Sequence, residues 1–280
     1  MFTTNVKRTL IAVVFIALTI SVFVSCEKTE QPPIDSKQNE VEKLRIAGIE
    51  HNTGLNFVLH KLKDAAYKKR SSFRNPEDLL SLVEKSTKTF LTENSKLIDS
   101  HNRDYAIKCS DDAFVWIKET YLNQIEDNST KVKPYYDAAY QSLNVRQKEL
   151  LAAIIQAIDN ENLDLQATLS AFENIRIRAN NELKEEDRLP ILSAIEIGSN
   201  SMIYWNENID EWAALFSDGS KSTKGWFNWK KVGGADVKGA VTGATTGAIT
   251  GAGAGVGALG GGVGASAGAA ALELWNHWVN

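Results

Sequence analysis

Cysteine, proline and histidine are all scarce in this 280-residue chain, at two, five and four residues. With only Cys26 and Cys109, cross-linking cannot stand in for a hydrophobic core. His51, His60, His101 and His277 are widely dispersed. No HExxH motif, cysteine pair at zinc spacing or nucleophile elbow accompanies them. No catalytic residue, metal site or cofactor is therefore expected, and the chain reads as a non-enzyme. Positive charge is also short: 31 Lys and Arg against 35 Asp and Glu give a net charge of −4. That balance argues against nucleic-acid binding, which wants a basic face. Apolar alternation of period two between hairpin turns is missing as well, which argues against sheet.

Two kinds of segment stand out at the ends of the chain. Near the start, Lys7 and Arg8 precede the apolar run "TLIAVVFIALTISVFVSC", which closes on Ser25 and Cys26. A basic patch, an apolar stretch too short to span a bilayer comfortably and a small residue before the cut describe an export signal over residues 1–25. Cys26 behind Ser25 resembles a bacterial lipoprotein cleavage site, although Phe23 stands where that motif favours Leu. The resemblance implies lipidation of Cys26, membrane lipid as a partner and a place in the bacterial cell envelope. Loss of Lys7 and Arg8 with the signal would take the net charge to about −6. Residues 26–40 begin "CEKTEQPPIDSKQNE", polar with two prolines, the composition of a solvated tether.

Residues 41–216 are rich in Leu, Ile, Ala, Glu, Lys and Gln, with apolar residues at helical spacing. "NPEDLLSLVEKSTKTFL" predicts a helix capped by Asn75, with Pro76 at its first position and Leu79, Leu82, Val83 and Phe90 inward. "DDAFVWIKETYLNQI" predicts another, capped by Asp111 or Asp112, with Phe114, Ile117, Tyr121 and Ile125 on one side. "NVRQKELLAAIIQAIDN" places Leu150, Ile154, Ile155 and Ile158 on a buried face, and "NLDLQATLSAFENIRIRANNELKEEDR" reads as a further helix. Pro190 is expected to break the chain before a helix at 194–205. The fold class is thus all-α: a bundle-like domain, expected to fold on its own, followed by an aromatic and basic linker at 217–234 and a Gly/Ala-rich hairpin at 235–280.

Within "AGIEHNTGLNFVL", Gly48, His51, Asn52 and Leu55 form a G-x-x-H-N-x-x-L pattern. "HNTG" reads as a helix start capped by Asn52 or Thr53; on one unbroken helix His51 and His60 would lie on opposite faces. The pattern, with "SMIYW" at 201–205, resembles one found in uncharacterised Bacteroidetes-type envelope proteins, whose chains also close on a Gly/Ala-rich tail. That resemblance implies an architecture and no activity.

The tail carries the strongest periodicity. Gly239, Gly243, Gly247, Gly251 and Gly255 recur every fourth residue, as do Gly260, Gly264 and Gly268 after a slip. Residues four apart share a helix face, so each series is a bare stripe along which a second helix can approach. The segment is similar to the glycine zippers of bacterial envelope proteins and to the Gly-xxx-Gly helices of two-peptide bacteriocins. Trp226 and Trp229 before it and Trp275 and Trp278 after it stand where membrane-interface anchors would. With a turn at 257–262, two helices would set the stripes face to face. The expected function is a lipid-anchored envelope protein whose hairpin enters a membrane, in a structural or bacteriocin-like role, with room for homo-oligomers through the stripes. The alternative is a soluble, lipid-anchored binding module whose hairpin packs on its own helices or on a partner.

Overall fold

Asn75 accepts a hydrogen bond from the Asp78 amide at 2.7 Å and Pro76 opens the helix behind it, as their side chains dictate. That helix is one of nine in the computed structural model, which describes residues 36–69, 73, 75–122, 133–216 and 229–278. In chain order they are α1 (Ser36–Lys69), α2 (Pro76–Thr89), α3 (Arg103–Ile117), α4 (Lys133–Ser142), α5 (Val145–Asp159), α6 (Leu165–Glu182), α7 (Glu185–Ala213), α8 (Trp229–Thr250) and α9 (Ala254–Trp278). There is no strand among the described residues, and the all-α class expected from composition is the one found. The export signal, Cys26, Ile125 and Trp226 lie outside the described residues, as does the tether up to residue 35.

Local sequence accounts for several helix starts. Asn144 and Gln147 form a capping box ahead of α5, and Asp164 accepts from the Ala167 amide at 2.8 Å ahead of α6. Glu185, Glu186 and Asp187 fill the first turn of α7, where the helix dipole favours negative charge.

Elsewhere tertiary structure overrides the local signal. Asp111 and Asp112 are interior to α3. The turn before that helix is made by Asp99, which accepts from the amides of His101 and Asn102 at 2.9 and 3.0 Å. "HNTG" does not start a helix, because α1 runs straight through it. Pro190 does not break the chain but sits inside α7, where it is buried. The backbone bond it forgoes would have gone to the carbonyl of Glu186, an exposed residue in the first turn of the helix.

The packing centre is α9. Every residue at positions 254–272 is buried, because α8, α7, α2 and α3 lie against the helix and α1 covers it through Lys43, His51 and Gly54. The sheath helices turn their large side chains toward this spine: Leu55, Leu79, Val83, Phe114 and Trp205 share a cluster with Ala267, Ala270, Ala271 and Leu274. The compact unit therefore runs from Lys37 to Asn280, across the expected boundaries at residues 40, 216 and 234. The helical domain that was expected to fold without the tail has the tail for its core.

Candidate functional site

The hairpin turns earlier than the glycine pattern suggested. Gly251 and Gly253 take positive φ values of 81° and 93°, a conformation that costs glycine nothing and other residues strain. The Gly253 amide then donates to the Gly247 carbonyl at 3.1 Å and closes the turn. The expected turn at 257–262 is instead helical, well inside α9.

This shift changes what each stripe faces. Gly239, Gly243 and Gly247 of α8 press on the backbone of Gly261, Gly257 and Gly253. A Cβ at Gly243 would overlap the Gly257 carbonyl, and one at Gly257 would overlap that of Gly243. Gly251 lies in the turn, and Gly255 rests on the Lys43 backbone, 3.1 Å from where its Cβ would stand. Gly260, Gly264 and Gly268 face α3, against Ala106, Ser110, and Phe114 with Ile117. The two series thus serve two interfaces of α9 rather than facing one another. Each glycine in a helix interior costs about 1 kcal/mol relative to alanine, offset here by dispersion contacts that backbones gain only at this range. At the far end, Lys231 of α8 and Glu273 of α9 pair at 2.6 Å. Trp275 is buried against Phe216, ring centroids 6.5 Å apart, and Trp229 is half-buried between two parts of the core. Trp278 ends α9.

The motif of α1 meets the hairpin at a buried polar centre. Gly48, His51, Asn52 and Leu55 fall at i, i+3, i+4 and i+7, one face of an uninterrupted helix. Gly48 lets α1 approach α7, since a Cβ there would come within 2.5 Å of Asn200 Nδ2 and 2.9 Å of the Glu196 carbonyl. Asn52 donates to the Asn200 carbonyl at 2.9 Å, and its Oδ1 lies 3.0 Å from His51 Nδ1. Leu55 is fully buried one turn on. His51 Nε2 lies 3.5 Å from Oδ1 of Asp236, with both side chains wholly buried. The other carboxylate oxygen of Asp236 accepts from Ser201 and from Ser266, the latter at 3.1 Å. Ser266 in turn accepts from the indole N–H of Trp205 at 3.0 Å. Ser201 and Trp205 are the ends of the "SMIYW" segment, so the two halves of the motif meet on one aspartate.

Burial pushes the Asp236 carboxyl above the usual carboxylate range, while His51 and the two serine hydroxyls pull against that shift. The residue types suggest a hydrolytic triad, but the connections do not. Both hydroxyls donate to the aspartate, neither reaches the imidazole, and His51 Nδ1 faces Asn52. A nucleophile needs its base within hydrogen-bond reach, and complete burial closes the centre to a substrate. What the arrangement can do is fix register: α1, α7, α8 and α9 each contribute a polar group that only this alignment brings together, although His51 Nε2 and Asp236 Oδ1 face each other at 3.5 Å without a hydrogen bond. Among the described residues no cluster of three or more His, Cys, Asp or Glu suits a metal ion.

Asp236, Ser266 and Asn200 were not singled out from the sequence. A signal for Asp236 existed, since it is the one acid between Asp218 and Glu273. Compared with family models, curated proteins and solved structures, the chain matches none.

Proposed function

We propose that this chain is a lipid-anchored protein of the bacterial cell envelope, of the Bacteroidetes type its motif resembles, and that its glycine hairpin is the spine of a solvent-facing binding domain. The reading is carried by one observation: the stripe that could serve a membrane or another copy is already occupied within the chain, Gly243 against Gly257. Membrane lipid is then a partner through Cys26, and homo-oligomers would need a surface other than the stripes. No enzymatic role is proposed, because the polar centre lacks a nucleophile–base pair.

The membrane-entering reading stands second, on a different observation. Ala254–His277 is long and apolar enough to cross a bilayer. Entry would require α1, α2, α3 and α7 to leave α9, and would strip His51 and Asp236 of their partners, at several kcal/mol. Production of residues 27–280 without lipid separates the two. Recovery as a soluble monomer with one cooperative melt supports the spine; retention in membranes after alkaline carbonate supports entry.

A further inference from the structure

The hairpin tip and the start of α1 lie at the same end of the domain. A Cβ on Gly253 in the turn would stand 3.5 Å from a Glu40 carboxylate oxygen, and Gly255 rests on Lys43. The chain coming from Cys26 therefore joins the domain beside the tip. Cys26 and Ser36 are ten positions apart, a reach of at most roughly 35 Å.

The tip is built unlike an ordinary solvent-facing turn. No charged residue occurs between Lys238 and Glu273. Thr246, Ala248, Thr250 and Gly251 are exposed, and Ile249 stands 73% exposed at the crest. Tyr105 supports it from below, its hydroxyl donating to the Gly243 carbonyl at 3.1 Å. The opposite end of α8 is polar: Lys230 bonds the Asn160 carbonyl and Lys231 pairs with Glu273. The 22 residues of α8 set the two ends about 33 Å apart.

We infer that the tip of the hairpin, led by Ile249, rests on the lipid surface that holds the chain's own anchor, and so orients the domain with its polar end away from the membrane. The inference rests on the reading of Cys26 as lipidated. The hairpin's own crest carries no charge, and Glu40 beside it is paired with Lys43 at 2.8 Å, so the tip can sit among headgroups without stripping an unpaired charge of water. A second contact beside a lipid anchor also turns loose attachment into a fixed orientation.

The test uses the full lipid-processed chain on vesicles of phosphatidylethanolamine and phosphatidylglycerol containing a doxyl-labelled phospholipid. An environment-sensitive fluorophore is placed at Ile249→Cys, or at Asn162→Cys in the exposed turn at the polar end; Cys109 is buried. Flotation comes first: if the processed chain and Cys26→Ser float alike, or neither floats, the lipidation reading falls and this inference with it. With the anchor established, the probe at 249 should be blue-shifted and quenched by the doxyl lipid while the probe at 162 reports water. Equal signals at the two sites, or an aqueous signal at 249, overturn the orientation and leave the anchor standing.

Discussion

The carbonyl of Gly257 occupies the place where a Gly243 side chain would begin, and the carbonyl of Gly243 does the same to Gly257. Two helix backbones touch at this point with nothing between them, inside a sheath of other helices.

Substitution at Gly243 should therefore act against intrinsic helix propensity. Alanine gains about 1 kcal/mol over glycine in a helix interior, yet Gly243→Ala must push α8 and α9 apart and should lower stability by about 3 kcal/mol. Gly234, on the same helix, has nothing within 4 Å of its Cβ position. Gly234→Ala should raise stability by about 0.5–1 kcal/mol. Urea denaturation of lipid-free protein measures both, and a destabilisation common to the two would mean the effect is not one of approach distance.

The polar centre makes a second pair of variants informative. Asp236→Ala leaves Ser201, Ser266 and His51 facing an apolar gap and should cost about 3 kcal/mol. Asp236→Asn keeps an acceptor for the hydroxyls and cannot ionise, so it should cost much less than Asp236→Ala. The sign of the pH dependence follows from the raised native pKa of Asp236. The stability tied to its proton is fully present below the ordinary value of 3.8 and is lost as pH rises through the native pKa. Wild type should thus gain on Asp236→Asn as pH falls through the native pKa toward 3.8, with His51 the titratable group facing the carboxyl in both proteins. A gap that widens in favour of the variant would contradict this.

Cys109 offers a probe of the α3–α9 region. Burial pushes its thiol up to about 11, against a hydrogen bond with Tyr105, and the thiolate is the reactive form. Iodoacetamide at pH 8 should leave Cys109 untouched in folded protein and alkylate it in urea. Rapid labelling of the native state, read by mass spectrometry, would mean that α3 opens easily.

Much of the sheath was legible in the sequence, because a cap such as Asn75 and apolar stripes such as Leu150–Ile154–Ile158 act locally. Glycines of the every-fourth-residue spacing are also where α8 and α9 touch backbone to backbone. Their partners were not legible: the series continues through the true turn at Gly251 and Gly253, so spacing alone could not say where the chain reverses. Displacing the turn by a few residues rotates every facing pair. Helix starts failed where long-range packing decides, as at Asn52 inside α1 and Pro190 inside α7. The motif Gly48–His51–Asn52–Leu55 was visible as a pattern, but its meaning required Asp236, which lies 185 residues beyond His51.

Removal of the tail distinguishes a spine from an appendage. Residues 41–216 alone would expose the inner faces of α2, α3 and α7 that now cover α9. The fragment should be collapsed and aggregation-prone, retaining helix by circular dichroism but melting without a cooperative transition. A soluble monomer with a sharp melt would show that the sheath has a core of its own.

Amide hydrogen exchange along α9 in lipid-free protein tests the central claim most directly. If the glycine hairpin is the spine of the domain, amides at 254–272 can exchange only when the whole unit unfolds. Their exchange free energy should equal the global unfolding free energy, with the same dependence on urea and slower exchange than in any sheath helix. Exchange within seconds at 254–272, while α2, α3 and α7 stay protected, would show that the hairpin leaves the domain on its own and would contradict the account.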